Sequence, residues 1–379
     1  MPTKPTVVRR KRSGYSTSML RRPPGGLAAV VAAGTFLATL GGCDRASPPV
    51  REFRGAYPDR AYPNGTVHDF TLTAAPAQIT LPDGRALAVW AYNGQVPGPT
   101  LRVRLGDTVH VTLTNHLPQP TTIHWHGVRV PNAMDGVPHV TQLPVEPGGS
   151  FVYEFTPKDA GTFWFHPHLR SPEQIERGLY GVLIVEDATP PTFSRDLVWV
   201  LDDWLLSPQG EIVPEFVTRH DLAHDGRWGN VPTINSSSRF TMDAQPGERI
   251  RLRLVNVANG RVFAPDFSAF DARVIAVDGL YTARPLDPTG FVLAPGNRLD
   301  LDLTIPRTLR GPQIVNDRFL RQPFPLATVV VADTEVATPT FASPATAHVP
   351  AWANLAQEPP RLTFLLNART GGPYGIEWT

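Results

Sequence analysis

The chain has 379 residues, 41% of them hydrophobic and only 18% charged, with 41 prolines and 31 glycines; this balance belongs to a folded, turn-rich protein and excludes a disordered one. Seven basic residues and no acidic ones lie before position 43, which leaves 28 of the 35 basic residues against 34 acidic ones, a net of −6; no basic footprint for nucleic acid remains. Cys43 is the only cysteine, so no intrachain disulfide and no downstream thiolate is possible.

Residues 1–43 read as an export signal: a basic segment ending at Arg21-Arg22, an uncharged run from Gly25 to Gly42, then Cys43. The alanine and glycine content of that run makes it a weak membrane span. Leu40-Gly41-Gly42-Cys43 resembles a bacterial lipobox, which would make Cys43 a lipidated N-terminus and place the protein in the periplasm or cell envelope. An ordinary cleaved signal is the alternative. Met19 is a second candidate start, and the paired arginines match a twin-arginine signal poorly.

Residues 44–64 form a proline-bearing linker. Period-2 alternation then predicts strands at His68 to Thr73, Ala86 to Tyr92, Thr100 to Arg104, Thr108 to Thr114 and Phe151 to Phe155. Turn signals separate them at Pro82-Asp83-Gly84, Gly106-Asp107 and Pro147-Gly148-Gly149. Short strands at this spacing indicate a β-sandwich over 65–187. A second strand-rich block spans 192–305, with strands at Asp196 to Leu206, Glu248 to Val255, Phe267 to Val277 and Phe291 to Ile305. Residues 306–360 read as an irregular proline-rich connector, and 361–379 as the start of a new strand and hairpin.

Two H-x-H motifs stand out: His124 and His126 around Trp125, and His166 and His168 around Pro167. On a strand each pair points to one face. Four converging imidazoles suit copper, zinc or iron, with copper the strongest among the divalent ions for a given site. Satisfied structural histidines are the plainer alternative.

The run Gly94 to Leu117 (GQVPGPTLRVRLGDTVHVTLTNHL), HWHG, Asp135-Gly136-Val137-Pro138, Gln142 and FWFHPH together resemble the first cupredoxin domain of the multicopper oxidases. Asp202-Asp203-Trp204, Arg227-Trp228-Gly229-Asn230, ERIRLRLVN ending at Asn256, Val277-Asp278-Gly279 and Leu293-Ala294-Pro295-Gly296 resemble that family's middle domain. The resemblance implies an all-β chain of tandem cupredoxin-like Greek-key sandwiches. It also implies copper as cofactor, dioxygen as acceptor and a phenol-like compound or metal ion as reducing substrate. Electrons would pass from a type 1 copper to a cluster of one type 2 and two type 3 coppers, where dioxygen is reduced to water. By the resemblance His124 is the type 2 ligand, His126, His166 and His168 are type 3 ligands, and Asp135 relays protons that oxygen reduction consumes. A turn aspartate before Gly136 is the structural alternative for Asp135.

A full family member adds a third domain with the type 1 cysteine and the remaining cluster histidines. None of His68, His110, His116, His139, His220, His224 and His348 forms a further H-x-H, and a blue copper site requires a thiolate. The expectation is therefore half a trinuclear ligand set, a chain cut short early in the third domain, and no oxidase activity from these residues alone. The competing readings are a non-catalytic cupredoxin-fold envelope protein and a copper-binding fragment. His220 and His224, spaced i, i+4, are expected in a polar loop; His139 is expected to be a loop residue, and Trp204 and Trp228 core or interface aromatics. Ser236 stands where the family has glycine, which puts that turn in question.

Overall fold

A computed structural model describes residues 65–188, 190–340, 368–370 and 376–378. The signal segment with Cys43, the linker to residue 64, the later connector and most of 361–379 lie outside the described residues.

The first sandwich packs two sheets. One contains β1 (Val67–Thr80), β2 (Ala86–Tyr92), β4 (Thr108–Asn115) and β6 (Ser150–Phe155) in the order β2-β1-β4-β6. The other contains β3 (Leu101–Arg104), β5 (His124–His126), β7 (Gly161–His166) and β8 (Gly181–Glu186) in the order β3-β8-β7-β5. The alternation that predicts β4 is the alternation observed: Val109, Val111 and Leu113 are fully buried while His110 and Thr112 between them are half-buried. β1 runs parallel to β4, and β3 to β8, so these neighbours cannot be joined by hairpins and the chain must cross over. Trp125, Phe163 and Phe165 enter the core from β5 and β7, each burial contributing roughly 1.5–3 kcal/mol.

In the second sandwich the larger sheet comprises β9 (Arg195–Trp204), β10 (Val231–Ile234), β12 (Arg249–Asn256), β13 (Asp271–Val277), β14 (Leu280–Leu286) and β15 (Arg298–Thr304). Their order is β10-β9-β12-β15-β13-β14. The facing sheet is β11 (Phe240–Ala244), β17 (Phe324–Val331) and β16 (Gly311–Asp317), in that order. This corrects the expected connector: 311–331 is not irregular but supplies two strands whose Val315 and Val329 are fully buried in the core with Leu252 and Leu301. Prolines 312 and 325 hid them, because proline demotes a strand pattern in sequence although strand ends and edges tolerate it. Ala368–Thr370 (β18) and Ile376–Trp378 (β19) pair antiparallel, as a hairpin would.

A third apolar cluster joins the sandwiches: Trp164, Tyr180 and Val182 pack with Val200, Trp204 and Val255. Trp204 is therefore an interface aromatic, and the half-buried Trp228 lies under the Arg261 guanidinium at 4.8 Å. Among the described residues there are two short α-helices, α1 (Ser171–Glu176) and α2 (Arg219–Ala223). α2 replaces the expected loop around His220 because Thr218 and Asp221 form a reciprocal capping box.

The turn after β10 forms despite Ser236. Asn235 and Ser236 take φ of +50° and +66°, the left-handed pair a tight hairpin turn needs. Ser236 Oγ donates to the Val96 carbonyl at 2.6 Å, a bond glycine could not make. Relief of left-handed strain and loss of a hydrogen bond are each about 1 kcal/mol. Ser236→Gly should thus be nearly neutral in urea unfolding and Ser236→Ala destabilised by about 1 kcal/mol.

Candidate metal centre

β5 and β7 pair antiparallel with His124 opposite His166, Trp125 opposite Phe165 and His126 opposite Trp164. Residues directly opposite share a face, so the register that sends Trp125 and Phe165 inward turns His124, His126, Trp164 and His166 together onto the outer face. Imidazole nitrogens of His124, His126 and His166 lie within 4.8 Å of one another. His126 Nδ1 stands 3.4 Å from His166 Nε2.

His168 arrives differently. β7 stops at His166, and Pro167 carries the chain onward, so strand alternation does not place it. Its backbone N–H donates to Thr122 Oγ1 at 3.2 Å, and its ring lies 5.1 Å from that of His124 and 6.3 Å from that of His166. It is the exposed member of the group.

The free nitrogens are set by the bonds the others make. His124 Nδ1 donates to the Asp135 carbonyl at 2.8 Å and His166 Nδ1 to the Pro167 carbonyl at 2.9 Å, leaving Nε2 of each without its proton. Burial, then the Arg298 charge and His124, lowers His126 to a pKa of about 4. Burial pushes His166 well below the ordinary histidine value. Neutral imidazoles are the form that ligates a metal. Trp164 lies nearly parallel to His166 at 4.1 Å and to His126 at 4.9 Å, walling the group on one side. The donor set is all nitrogen and convergent, with His126 and His166 held neutral by burial, and fits copper.

Asp135 follows a short 3₁₀ turn (Asn132–Met134), and its Oδ1 comes within 3.4 Å of His124 Nδ1. Its side chain is 34% exposed, so the carboxylate borders both the histidines and water. His139 sits in a loop at φ +63°, its N–H bonded to the Gln142 carbonyl. His220 and His224 stack at 4.1 Å elsewhere on the surface.

Sequence reading missed Arg298. It begins β15 in the second sandwich, is 4% exposed and reaches across to β7, where its Nε donates to the Thr162 carbonyl at 3.1 Å. Only its place after Leu293-Ala294-Pro295-Gly296 marked the region, and nothing in the spacing linked it to the histidines.

Residues 73–190 and 196–310 each match a family model described as multicopper oxidase. Multicopper oxidase MmcO of Mycobacterium tuberculosis is 32% identical over 266 residues, covering 62% of this chain and 51% of that protein. Copper resistance protein A of Pseudomonas syringae is 32% identical over 289 residues, 63% of this chain and 46% of the relative. The chain spans about half the length of these curated relatives. Among solved structures, a multi-copper oxidase from Pseudomonas thermotolerans superposes with a TM-score of 0.69 at 38% identity, covering 76% of this chain and 69% of that one.

Proposed function

Because the chain belongs to the multicopper oxidase family, we propose that His124, His126, His166 and His168 are one half of a trinuclear copper site in an exported oxidase. The convergence of ring nitrogens of His124, His126 and His166 on one sheet face, with the His168 ring 5.1 Å from that of His124, carries this reading. His124 is assigned to the type 2 ion and the other three to the type 3 pair. When bound, copper supplies the one-electron steps that link oxidation of a reducing substrate to reduction of dioxygen to water.

The chain's own residues prepare that chemistry. Asp135 orients His124 through its carbonyl and holds a carboxylate at 3.4 Å from the ring, placed to pass protons between solvent and the site. Trp164 and the second sandwich exclude water from one side of His126 and His166. The substrate is a phenol-like compound or a metal ion; the relatives include a laccase of Oryza sativa and an iron transport multicopper oxidase of Epichloe festucae. Export rests on the basic and apolar pattern before Cys43, with lipid anchoring at that cysteine.

These 379 residues hold no further H-x-H and no cysteine after Cys43. Oxidase activity therefore needs ligands from outside them, and this polypeptide alone is expected to be inactive and colourless. Copper titration of the purified chain against His124→Ala/His126→Ala tests the site: uptake by the first and its loss in the second is expected. Equal uptake by both would remove the assignment, and an intense blue colour would contradict the missing thiolate.

A further inference from the structure

We infer that Arg298 is a positioning residue of the copper site, fixing His126 from the neighbouring sandwich; this rests on the copper reading above. Its guanidinium is held from three sides. Nε donates to the Thr162 carbonyl at 3.1 Å, Nη1 to the Gly296 carbonyl at 2.9 Å and Nη2 to the Asp278 carbonyl at 2.9 Å. Asp278 Oδ1 also accepts from the Arg298 backbone N–H at 2.9 Å and lies 3.4 Å from Nη1.

Two glycines show how closely this arginine and its turn fit the ligand strand. A β-carbon on Gly127, the residue after His126, would stand 2.4 Å from Arg298 Nη2. One on Gly296 would stand 3.0 Å from Cε1 and 3.2 Å from Nε2 of His126. The Pro295-Gly296 turn, pinned by Nη1, thus packs along the Nε2 edge of His126, while Trp164 lies against its ring, tilted by 30°, at 4.9 Å. Held between them, the imidazole keeps Nδ1 directed at His166. Lysine at 298 preserves the charge but lacks the planar fork that reaches three carbonyls at once.

A buried arginine can also serve only to hold two sandwiches together, and Arg251 provides the comparison. It is equally buried in the same interface, but its partners are Asp300 and the Tyr281 hydroxyl. The cupric ion alone is titrated into the full chain, Arg298→Lys and Arg251→Lys, with competition affinities and electron paramagnetic resonance spectra recorded for each. Arg298→Lys should bind about tenfold more weakly, the scale of lost support behind a ligand, with altered copper hyperfine values; Arg251→Lys should match the parent in both. Parent-like affinity and spectrum in Arg298→Lys, or the same loss in Arg251→Lys, would overturn the inference alone. No uptake by the parent would overturn the copper reading and this inference with it. If circular dichroism shows that Arg298→Lys does not fold, Asp278→Asn decides, because that side chain is 44% exposed and its replacement opens no cavity: weakened binding with a changed spectrum is expected, and parent-like binding overturns the inference.

Discussion

Replacing Arg253 by methionine is expected to destabilise the fold by about 3 kcal/mol, the low end for removing one partner of a buried ion pair. Arg253 is 1% exposed and bridges the sandwiches. Its Nε and Nη2 donate to the two oxygens of Asp196 at 2.6 and 2.7 Å, and Nη1 donates to Thr162 Oγ1 at 2.7 Å and Asp300 Oδ2 at 3.2 Å. Burial alone would raise Asp196, yet Arg253 holds it below the usual carboxylate range. Methionine fills much of the volume but leaves buried acceptors short of a donor. The loss stays at the low end because Arg251 still reaches Asp300 at 2.6 Å and Arg102 still reaches Asp196 at 3.3 Å. Urea unfolding should show a lower midpoint with an unchanged slope. A shift worth less than about 1 kcal/mol would mean that the pairing of Arg253 with Asp196 and Asp300 behaves like a surface ion pair.

The second large effect is a dependence on pH of unusual sign. Asp202, Asp203 and Glu176 are each 2% exposed or less and lie together between the sandwiches. Burial, with Asp203 and Glu176 nearby, pushes Asp202 well above the usual carboxylate value, although it accepts from the Tyr180 hydroxyl at 2.5 Å and the Asp203 N–H at 2.8 Å. Burial raises Asp203 to about 6 against the pull of Arg261, whose Nε donates to it at 2.8 Å. Arg227 pairs with Glu176 at 3.1 Å. Because folding raises Asp202 and Asp203, the folded chain keeps protons there that the unfolded chain has released above about pH 4. Their contribution to stability therefore falls as pH rises through that window, by about 3 kcal/mol for Asp203 between about pH 4 and 6. Asp202→Asn keeps an acceptor for the Asp203 N–H and cannot ionise. It should unfold like the parent at pH 4 and be more stable at pH 8, on the order of 1–3 kcal/mol. Equal midpoints at pH 8 would show that Asp202 ionises without penalty.

Both effects arise on a surface whose character the sequence does not announce. The period-2 pattern of ERIRLRLV reads the same whether its arginines face water or a second domain. In the structure Arg251 and Arg253 are buried, paired with the half-buried Asp196 and the buried Asp300, and the face they occupy covers β7 beside the histidines. What makes the charges tolerable is pairing with residues about 50 positions away, and no local pattern records such partners. Arg298 went unread for the same reason: its significance lies in Thr162 and Gly127, both more than a hundred residues upstream.

The sequence by itself determined the all-β class, the alternation of β4, the shared face of His124 and His126 opposite that of Trp125, and the lack of any thiolate after Cys43. These follow from period-2 geometry and residue chemistry, which are local. Only the tertiary structure decided that 311–331 completes the second core, that His168 joins the other imidazoles past the end of its strand, and that Arg298 stands behind His126. Each depends on which distant backbone supplies a hydrogen bond or fills a volume, and packing settles that where periodicity cannot.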